Sequence, residues 1–219
     1  IIDNTWPNGW GKKTSIMGIL NITPDSFSDG GDFFNIENAL LQTQKLVQAG
    51  ADILDIGAQS TRPGADIIGE KEEIKRLLPT LIEIRKNFPN LIISIDTFNA
   101  EVAYEALKNG ANWINDVTGG KNDKSILDVV ASFDCPYVIT HSKGNSKTMN
   151  KLSVYNNLME EIINSLIELS KSAMDKKVRK DKIIWDPGLG FAKNKDHNIY
   201  ILKNLDRLKS FDFPLLIGA

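Results

Sequence analysis

Asn21-Ile-Thr-Pro-Asp-Ser-Phe-Ser-Asp-Gly-Gly31 follows the apolar run Ser15-Ile-Met-Gly-Ile-Leu20 and precedes a helical pattern that begins near Asn35. The apolar run is typical of a buried strand, whereas the eleven residues after it are too polar and too rich in glycine to form a core. They therefore lie in a loop that leaves the carboxyl end of the strand. In proteins built from strand–loop–helix repeats, that end carries the chemistry. The length and composition of this loop indicate substrate handling rather than a simple turn.

Composition limits the classes of protein to which this chain can belong. With 219 residues, of which 42% are hydrophobic, it has enough apolar material for one cored domain. The net charge of −2 provides no basic face for nucleic acid. A single cysteine, Cys135, excludes an intrachain disulfide and is typical of a reducing compartment. No apolar run approaches the roughly 20 residues that cross a bilayer, and Ile1–Trp10 does not have the pattern of a signal peptide. We therefore expect a cytoplasmic enzyme with no membrane or nucleic-acid partner.

Short apolar runs alternate with amphipathic segments along the whole chain. The amphipathic segments predict helices, the first with Asn35 as candidate N-cap and Gly50 as its end, and a later one with Asn99 as candidate N-cap. The apolar runs are rich in Ile, Leu and Val and do not alternate with polar residues, which is typical of parallel strands covered on both faces. They predict seven strands, at Ile16–Leu20, Ile53–Ile56, Leu91–Ile95, Trp113–Asn115, Tyr137–Thr140, Ile183–Trp185 and Leu215–Gly218.

Seven strands separated by helices fit either a (β/α)8 barrel or a doubly wound open sheet. Two observations favour the barrel: polar motifs follow nearly every strand, and no G-x-G-x-x-G follows the first. A full barrel contains about 250 residues, so this chain is shorter by roughly one strand and two helices. It also begins at Ile1 and stops at Ala219, inside a predicted strand. The prediction is an α/β fold, a (β/α)8 TIM barrel truncated after the seventh strand, in which residues 1–219 form one domain that is incomplete at its C-terminus.

Three polar residues stand at the ends of predicted strands that are otherwise apolar: Asp96, Asn115 and Asp186. Buried carboxylates are costly unless they are paired or hydrogen-bonded. Taken singly, each residue fits either a structural role, capping a helix or tying a loop, or a binding role. Because strand ends converge at the mouth of a barrel, three together favour recognition of a planar ligand rich in N–H donors. For the neighbouring Asp55 and Asp116 the two roles are equally compatible with the sequence.

Two basic residues and one histidine are further candidates for the same mouth. Arg62 stands in Thr61-Arg-Pro-Gly64 directly after a strand, which favours binding of a carboxylate or phosphate over a solvated loop arginine. Lys193 fits either an anion-binding lysine or a surface lysine. His141 ends the fifth predicted strand and suits the lining of a pocket. A single histidine without a second histidine or a cysteine nearby is a poor metal site.

Five motifs resemble those of the dihydropteroate synthase family, in the family's order and over essentially the whole chain. Each one alone is a weak signal, whereas the five together are very specific. They are Ile16-Met-Gly-Ile-Leu-Asn-Ile-Thr-Pro-Asp-Ser-Phe-Ser-Asp-Gly-Gly31, Asp55-Ile-Gly-Ala-Gln-Ser-Thr-Arg-Pro-Gly64, Ser94-Ile-Asp-Thr97, Ile114-Asn-Asp-Val-Thr-Gly-Gly120 and Asp186-Pro-Gly-Leu-Gly-Phe-Ala-Lys193.

The resemblance implies a transferase of folate synthesis. It would condense 6-hydroxymethyl-7,8-dihydropterin diphosphate with p-aminobenzoate to give dihydropteroate and pyrophosphate. The family's chemistry implies loss of pyrophosphate, assisted by Mg²⁺, before the arylamine attacks the pterin cation. Carboxylates in a low-dielectric pocket would stabilise that cation, and closure of the two long loops would exclude water. The resemblance also implies a homodimer.

Residue roles follow from the resemblance only where this sequence matches the family. Asp96, Asn115 and Asp186 would act as the catalytic residues that hold the pterin edge, and Asn21 would assist Mg²⁺ and the diphosphate. The implied substrate-binding residues are completed by Thr61 near the phosphates, and by Arg62, Pro63 and Phe191 at the p-aminobenzoate site.

The sequence departs from the family pattern in two places. Thr140 and Ser142 flank His141 where the family has methionines, so pterin stacking there is expected to differ. The chain also ends at Ile217-Gly-Ala219, where the family continues into Ser-Arg-Lys and a later Arg-x-His. We expect those residues in the parent protein, and weak or no catalysis without them.

Two alternative functions compete with the transferase: a pterin-dependent methyltransferase of the related barrel superfamily, and a degenerate pterin-binding or scaffold protein. The methyltransferase would need neither the Arg62 loop nor the Asn21 loop.

Overall fold

A computed structural model describes residues 5–22, 32–59, 68–144 and 153–218. The chain divides into two compact units. The first consists of Ile1–Ser60 with Ile67–Asn115, and the second of Thr61–Asp66 with Asp116–Ala219. Each unit is described by itself below. Within the described ranges, every helix is too short or too polar to cross a membrane.

The first unit alternates parallel strands with helices, so its chain order is that of a (β/α) repeat. Strands that are neighbours in the sheet are also consecutive in the chain. The last strand ends at Asp116, the residue with which the second unit begins. The elements are β1 (Met17–Asn21), α1 (Asp32–Gln48), β2 (Ile53–Gly57), α2 (Glu70–Asn87), β3 (Ile92–Asp96), α3 (Ala100–Lys108) and β4 (Trp113–Asp116).

The helix ends of the first unit confirm some of the expected caps and correct others. α1 begins at Asp32, so Asn35 lies inside the helix and the N-cap prediction is wrong. Gly50 follows the end of α1 with φ of 101°, a conformation that glycine adopts without strain. α3 begins directly after Asn99, as expected, but the Asn99 side chain makes no cap hydrogen bond and instead donates to Oε2 of Glu73 over 2.7 Å.

A tryptophan cluster packs the N-terminal segment of the first unit against β4. The rings of Trp6 and Trp10 stack with centroids 4.6 Å apart, and both meet the ring of Trp113 edge-on. Nε1 of Trp113 donates to the carbonyl of Thr5 over 2.7 Å, which satisfies a buried polar group. Residues 5–10 are thereby fixed before the first strand begins.

The second unit also alternates parallel strands with helices, in the order α4 (Ser125–Phe133), β5 (Tyr137–Thr140), α5 (Leu158–Asp175), β6 (Ile183–Asp186), α6 (Lys195–Lys203) and α7 (Leu205–Lys209). β5 and β6 pair in parallel, with Thr140 opposite Asp186. The predicted seventh strand, Leu215–Gly218, is represented by one parallel bridge between Leu215 and Trp185. Trp185 anchors this end of the core, because its ring stacks on Phe213 at 4.5 Å and its Nε1 donates to Ser170.

The fold belongs to the α/β class that the sequence predicts, and the structure is consistent with a truncated TIM barrel. Six of the seven predicted strands are present, with each end within one residue of its expected position. The central residues of β2 to β6 are mostly buried, which agrees with their uninterrupted apolar sequences, whereas Ile19 in the middle of β1 is 62% exposed.

Candidate functional site

In the first unit, the carboxyl ends of four parallel strands place four residues side by side. Asn21 of β1 is in register with Gly57 of β2, Gly57 with Asp96 of β3, and Asp96 with Asn115 of β4. Adjacent strands in a sheet are about 4.8 Å apart. Three of the predicted site residues, Asn21, Asp96 and Asn115, therefore share one edge of the sheet.

Two neighbouring side chains approach the backbone closely at Gly57. A Cβ at that position would lie 3.3 Å from Oδ1 of Asn21 and 3.4 Å from Oδ2 of Asp96. The absence of a side chain at Gly57 thus allows this close approach of two side-chain oxygens. Sequence reasoning did not single out Gly57, although a glycine at the end of a strand rich in Ile and Leu is a recognisable signal of close approach.

Asp55 orients the amide of Asn115. Nδ2 of Asn115 donates to Oδ2 of Asp55 over 3.0 Å, and a carboxylate only accepts from an amide, which fixes the orientation of the Asn115 side chain. Burial raises the pKa of Asp55, which is 5% exposed, and the hydrogen bond from Asn115 opposes that rise. The buried Oδ1 of Asn115 has no hydrogen-bond partner among the described residues. It is thereby presented as an acceptor for an N–H group.

Asp116 has a structural role, which resolves the alternative that the sequence left open. Its Oδ1 accepts from the backbone N–H and the hydroxyl of Thr118, both over 2.7 Å. Its Oδ2 accepts from the N–H of Gly120 and from the hydroxyl of Tyr137, again over 2.7 Å. Burial raises the pKa of Asp116 and these four hydrogen bonds oppose the rise. A carboxylate used in this way fixes the loop after β4.

In the second unit, Asp186 ends β6 and is 8% exposed. The N–H of Gly188 donates to its Oδ1 over 2.7 Å. Burial raises the pKa of Asp186 to about 6, while that hydrogen bond and the positive charge of Lys193 act in the opposite direction. The carboxylate is therefore charged at neutral pH and becomes protonated in mildly acidic solution.

Lys193 points into the protein, so the expectation of a surface lysine is wrong, and the alternative of an anion-binding lysine stays a prediction. It is 8% exposed, and its Nζ lies 2.9 Å from Nδ1 of His141. The same Nζ donates to the carbonyls of His141, Gly188 and Phe191. Burial lowers the pKa of Lys193 to about 7, the negative charge of Asp186 opposes that change, and the positive charge of Lys143 adds to it. No local sequence pattern signals this arrangement.

His141 is a buried side chain that is held in its neutral form. Burial, together with the nearby charges of Lys193, Lys121 and Lys143, lowers its pKa to about 3. Nδ1 accepts from Lys193, which assigns the ring proton to Nε2. The backbone of Gly188 presses against this residue so closely that a Cβ on Gly188 would lie 2.2 Å from the His141 carbonyl oxygen.

Phe191 lies in a turn that is held at several points. Its N–H donates to the carbonyl of Gly188 over 3.2 Å, and its own carbonyl accepts from Lys193 over 3.0 Å. The hydroxyl of Tyr155 donates to the next carbonyl, that of Ala192, over 3.0 Å. The Tyr155 ring in turn lies 3.7 Å below Nζ of Lys143. The position of Phe191 is therefore fixed by its neighbours.

The two residues that depart from the family pattern flank His141 and differ in their contacts. Thr140 is 1% exposed, and its Oγ1 has no hydrogen-bond partner within the described ranges. It stands opposite Asp186 in the β5–β6 pair. Ser142 donates from Oγ to the carbonyl of Val117 over 2.8 Å, which is a structural contact.

Thr61, Arg62 and Pro63 lie outside the described residues, as does the loop at 23–31. Their expected roles stay predictions. The described site residues are thus Asn21, Asp96 and Asn115 at one strand edge of the first unit, and Asp186 and Phe191 in one turn of the second.

One oxygen donor for a cation stands at this strand edge of the first unit. Mg²⁺ prefers oxygen ligands, keeps several waters, and is commonly held by one or two carboxylates plus substrate phosphates. Asn21, an exposed residue beside Gly57, offers an amide oxygen of this kind, Oδ1, and a magnesium ion at this position stays a prediction. Within the part of the chain that the structure describes, no cluster of three or more His, Cys, Asp or Glu side chains offers a protein-only metal cage.

Comparison with known proteins gives consistent results. Residues 17–219 match the family described as pterin binding enzyme. The dihydropteroate synthase of Clostridium beijerinckii is 44% identical over 209 residues, which cover 95% of this chain and 75% of that protein. The structure superposes with a TM-score of 0.89 on a Clostridium difficile dihydropteroate synthase obtained in the presence of pteroic acid (41% identity, 95% of this chain, 77% of that one). The Xanthomonas albilineans enzyme with 4-aminobenzoic acid gives 0.86 (36% identity, 94% and 72%).

Proposed function

The chain belongs to the pterin-binding enzymes and, within them, to the dihydropteroate synthases, transferases of folate synthesis, and on that premise we propose that it joins 6-hydroxymethyl-7,8-dihydropterin diphosphate to p-aminobenzoate. The observation that carries the proposal is the strand edge Asn21–Gly57–Asp96–Asn115, with an oriented amide acceptor at its end. The relatives crystallised with pteroic acid and with 4-aminobenzoic acid support the choice of substrates.

Asn115 and Asp96 suit the hydrogen-bonding edge of a pterin. The free Oδ1 of Asn115 accepts an N–H bond without rearrangement, because Asp55 already holds the Nδ2 group. The Asp96 carboxylate at the adjacent strand end accepts N–H donors as well. In a buried setting these acceptors also favour positive charge on the pterin ring, which develops when the diphosphate leaves.

Asp186 provides a second carboxylate with a defined direction. Because the N–H of Gly188 occupies Oδ1, the remaining acceptor capacity of the group is available to a ligand. With a pKa of about 6, the group is charged under neutral conditions. We assign to it a hydrogen bond to an N–H donor of the pterin.

Departure of pyrophosphate is the step that Asn21 serves in this proposal. Asn21 would hold a Mg²⁺ ion that, when bound, supplies charge neutralisation to the leaving diphosphate. The C–O bond to the diphosphate breaks first, and its electron pair leaves with pyrophosphate. The amine of p-aminobenzoate then attacks the pterin methylene cation and loses a proton.

Recognition of p-aminobenzoate is assigned to Arg62, Pro63 and Phe191, with Thr61 near the phosphates. For Thr61, Arg62 and Pro63 the support is the motif resemblance alone. For Phe191 the further support is a turn whose backbone is held by hydrogen bonds from Lys193 and Tyr155. An Arg62→Ala change is expected to raise the KM for p-aminobenzoate much more than the KM for the pterin diphosphate, and equal effects would contradict the assignment.

The deciding experiment measures pyrophosphate release by the full-length protein with both substrates and Mg²⁺. We expect release that requires both substrates, stops with EDTA and returns with added Mg²⁺. Turnover that persists without metal would remove Asn21 from a metal site. Pterin binding by calorimetry without any pyrophosphate release would instead support the pterin-binding scaffold. A homodimer and a cytoplasmic location are further proposals, the first of which sedimentation of the full-length protein would test.

A further inference from the structure

The ammonium group of Lys193 directs its hydrogen bonds to acceptors within the second unit. Four acceptors surround Nζ: Nδ1 of His141 at 2.9 Å, and the carbonyl oxygens of Gly188, Phe191 and His141 at 2.9, 3.0 and 3.2 Å. An ammonium group has three N–H donors. It therefore has no donor left for a substrate, and its role must be exerted through the groups that it holds.

Those groups belong to two places that are distant in sequence. His141 follows β5, whereas Gly188 and Phe191 form the turn after β6. The turn contains a left-handed residue that is not glycine, Ala192 with φ of 52°, which is an unfavourable conformation unless its surroundings impose it. Two groups supply that restraint. Lys193, directly after Ala192, binds the carbonyls of Gly188 and Phe191, and the hydroxyl of Tyr155 donates to the Ala192 carbonyl.

The same turn aims Asp186. Its Oδ1 accepts from the N–H of Gly188, and the carbonyl of Gly188 accepts from Lys193. One residue therefore joins the lysine to the carboxylate. The Lys193 charge also opposes the effect of burial on the pKa of Asp186. The titratable and charged groups that act on Lys193 are Asp186 and Lys143, with the His141 ring in direct contact, and Lys121 acts on that ring as well.

We propose that Lys193 is a positioning residue of the transferase reaction, which holds Asp186 and Phe191 in their substrate-binding places. The proposal deepens the function given above and depends on it in one respect, the contact between Asp186 and the pterin. It assigns no contact between Lys193 and substrate.

The test compares Lys193→Met with Lys195→Met in the full-length protein. Both changes replace a lysine by methionine, but Lys195 is exposed at the start of α6. The first measurement is a ¹³C NMR titration of the Asp186 carboxyl group, which needs no substrate. We expect the midpoint to rise by about one pH unit in Lys193→Met, so that the charged fraction on the acid side falls about tenfold, and to stay unchanged in Lys195→Met.

The second measurement is the pH profile of kcat/KM for the pterin diphosphate. Its acid limb is expected to move to higher pH in Lys193→Met by the same amount, and Lys193→Arg, which keeps the charge, should restore the limb while kcat stays low. A purely structural lysine would lower activity equally at all pH values. An unshifted Asp186 titration in a folded Lys193→Met protein would overturn the proposal.

Two further outcomes are separable. If the wild-type protein neither binds pterin nor releases pyrophosphate, the proposed function fails, and the substrate-free NMR titration still decides whether Lys193 controls Asp186. If Lys193→Met does not fold, the proposal is tested on the Lys193 ammonium group of the wild-type protein. At a pH below about 6, its ¹⁵Nζ–H signal should exchange slowly with water because its donors are bonded and buried, and rapid exchange would overturn the proposal.

Discussion

Asn115 donates a hydrogen bond from Nδ2 to Oδ2 of Asp55 over 3.0 Å, and its own Oδ1 is buried with no hydrogen-bond partner among the described residues. Asp55 is thus a positioning residue, and the group that it positions is a neutral acceptor. Without the contact, the two ends of the Asn115 amide would be free to exchange places. The strand edge would then present a donor and an acceptor in turn.

An Asp55→Asn change is expected to lower pterin affinity about tenfold with little loss of stability, because it disorders one acceptor while removing a buried charge. Asp116→Asn is the matched comparison. It disturbs a carboxylate that accepts four hydrogen bonds, so the free energy of unfolding should fall by about 3 kcal/mol. Calorimetric titration with pterin and urea unfolding measure the two effects. The assignment fails if Asp55→Asn unfolds the protein while Asp116→Asn leaves its stability intact.

A Gly57→Ala change is expected to reduce kcat/KM by about 10- to 100-fold, because the new methyl group presses against Oδ1 of Asn21 and Oδ2 of Asp96 and displaces them. Stability should change little, because the loss of a strand glycine is favourable and the tight contacts are not. Gly69→Ala serves as the control, as a Cβ there meets no atom within 4 Å among the described residues. Steady-state kinetics with thermal unfolding checks the pair, and full activity of Gly57→Ala would show that the positions of Asn21 and Asp96 do not depend on the glycine.

Pterin binding is expected to weaken as the pH falls through about 6, where Asp186 takes up a proton. Fold stability should change in the opposite direction. The folded pKa of Asp186 lies above the value of about 3.9 in an unfolded chain, so the folded protein binds this proton more tightly. The contribution of the group to the free energy of unfolding is therefore complete below pH of about 4 and is lost, by about 2–3 kcal/mol, as the pH rises to about 6.

Calorimetry on either side of pH 6 tests the binding half of this prediction, and chemical unfolding over the same range tests the stability half. Asp186→Asn is the control for both, because it lacks the titrating group. A wild-type affinity that does not depend on pH in this range would speak against a charged Asp186 in the complex.

A Thr140→Val change is expected to raise the free energy of unfolding by about 1 kcal/mol, because it replaces a buried hydroxyl without a protein partner by a methyl group of the same shape. If the hydroxyl faces the ligand, pterin affinity falls in the same variant. Ser142→Ala provides the contrast, since it removes a hydrogen bond to Val117 and should destabilise the fold. Urea unfolding measures both, and a large loss of stability in Thr140→Val would reveal a partner for its hydroxyl.

The sequence predicted the strands well because each is a continuous apolar run between polar segments, a pattern that neighbours in the chain determine. The same runs placed Asp96 and Asn115 at strand ends, and parallel pairing then put them in adjacent register. The seventh run has the same kind of composition and was also predicted as a strand, but the structure has one bridge there, between Leu215 and Trp185. Pairing depends on a partner strand, which composition does not reveal.

Side-chain partners were the part that the sequence did not predict. Lys193 has the sequence context of a surface residue because it precedes the polar run Asn194-Lys-Asp196, whereas its acceptors come from 52 residues earlier as well as from its own turn. Asn99 occupies an N-cap position, yet its amide binds Glu73, 26 residues away. Local sequence patterns determine the helices and strands, whereas the hydrogen-bond partners of side chains depend on how those elements pack against one another.

The four tryptophans of the chain divide unevenly between the units, with Trp6, Trp10 and Trp113 in contact in the first and Trp185 alone in the second. Indole emission therefore offers an optical reporter for each unit. Close stacking should quench and couple the three clustered rings, so release of the N-terminal segment would brighten them without altering the fourth. A Trp185→Phe protein would isolate that signal and show whether the segment detaches before the strands separate.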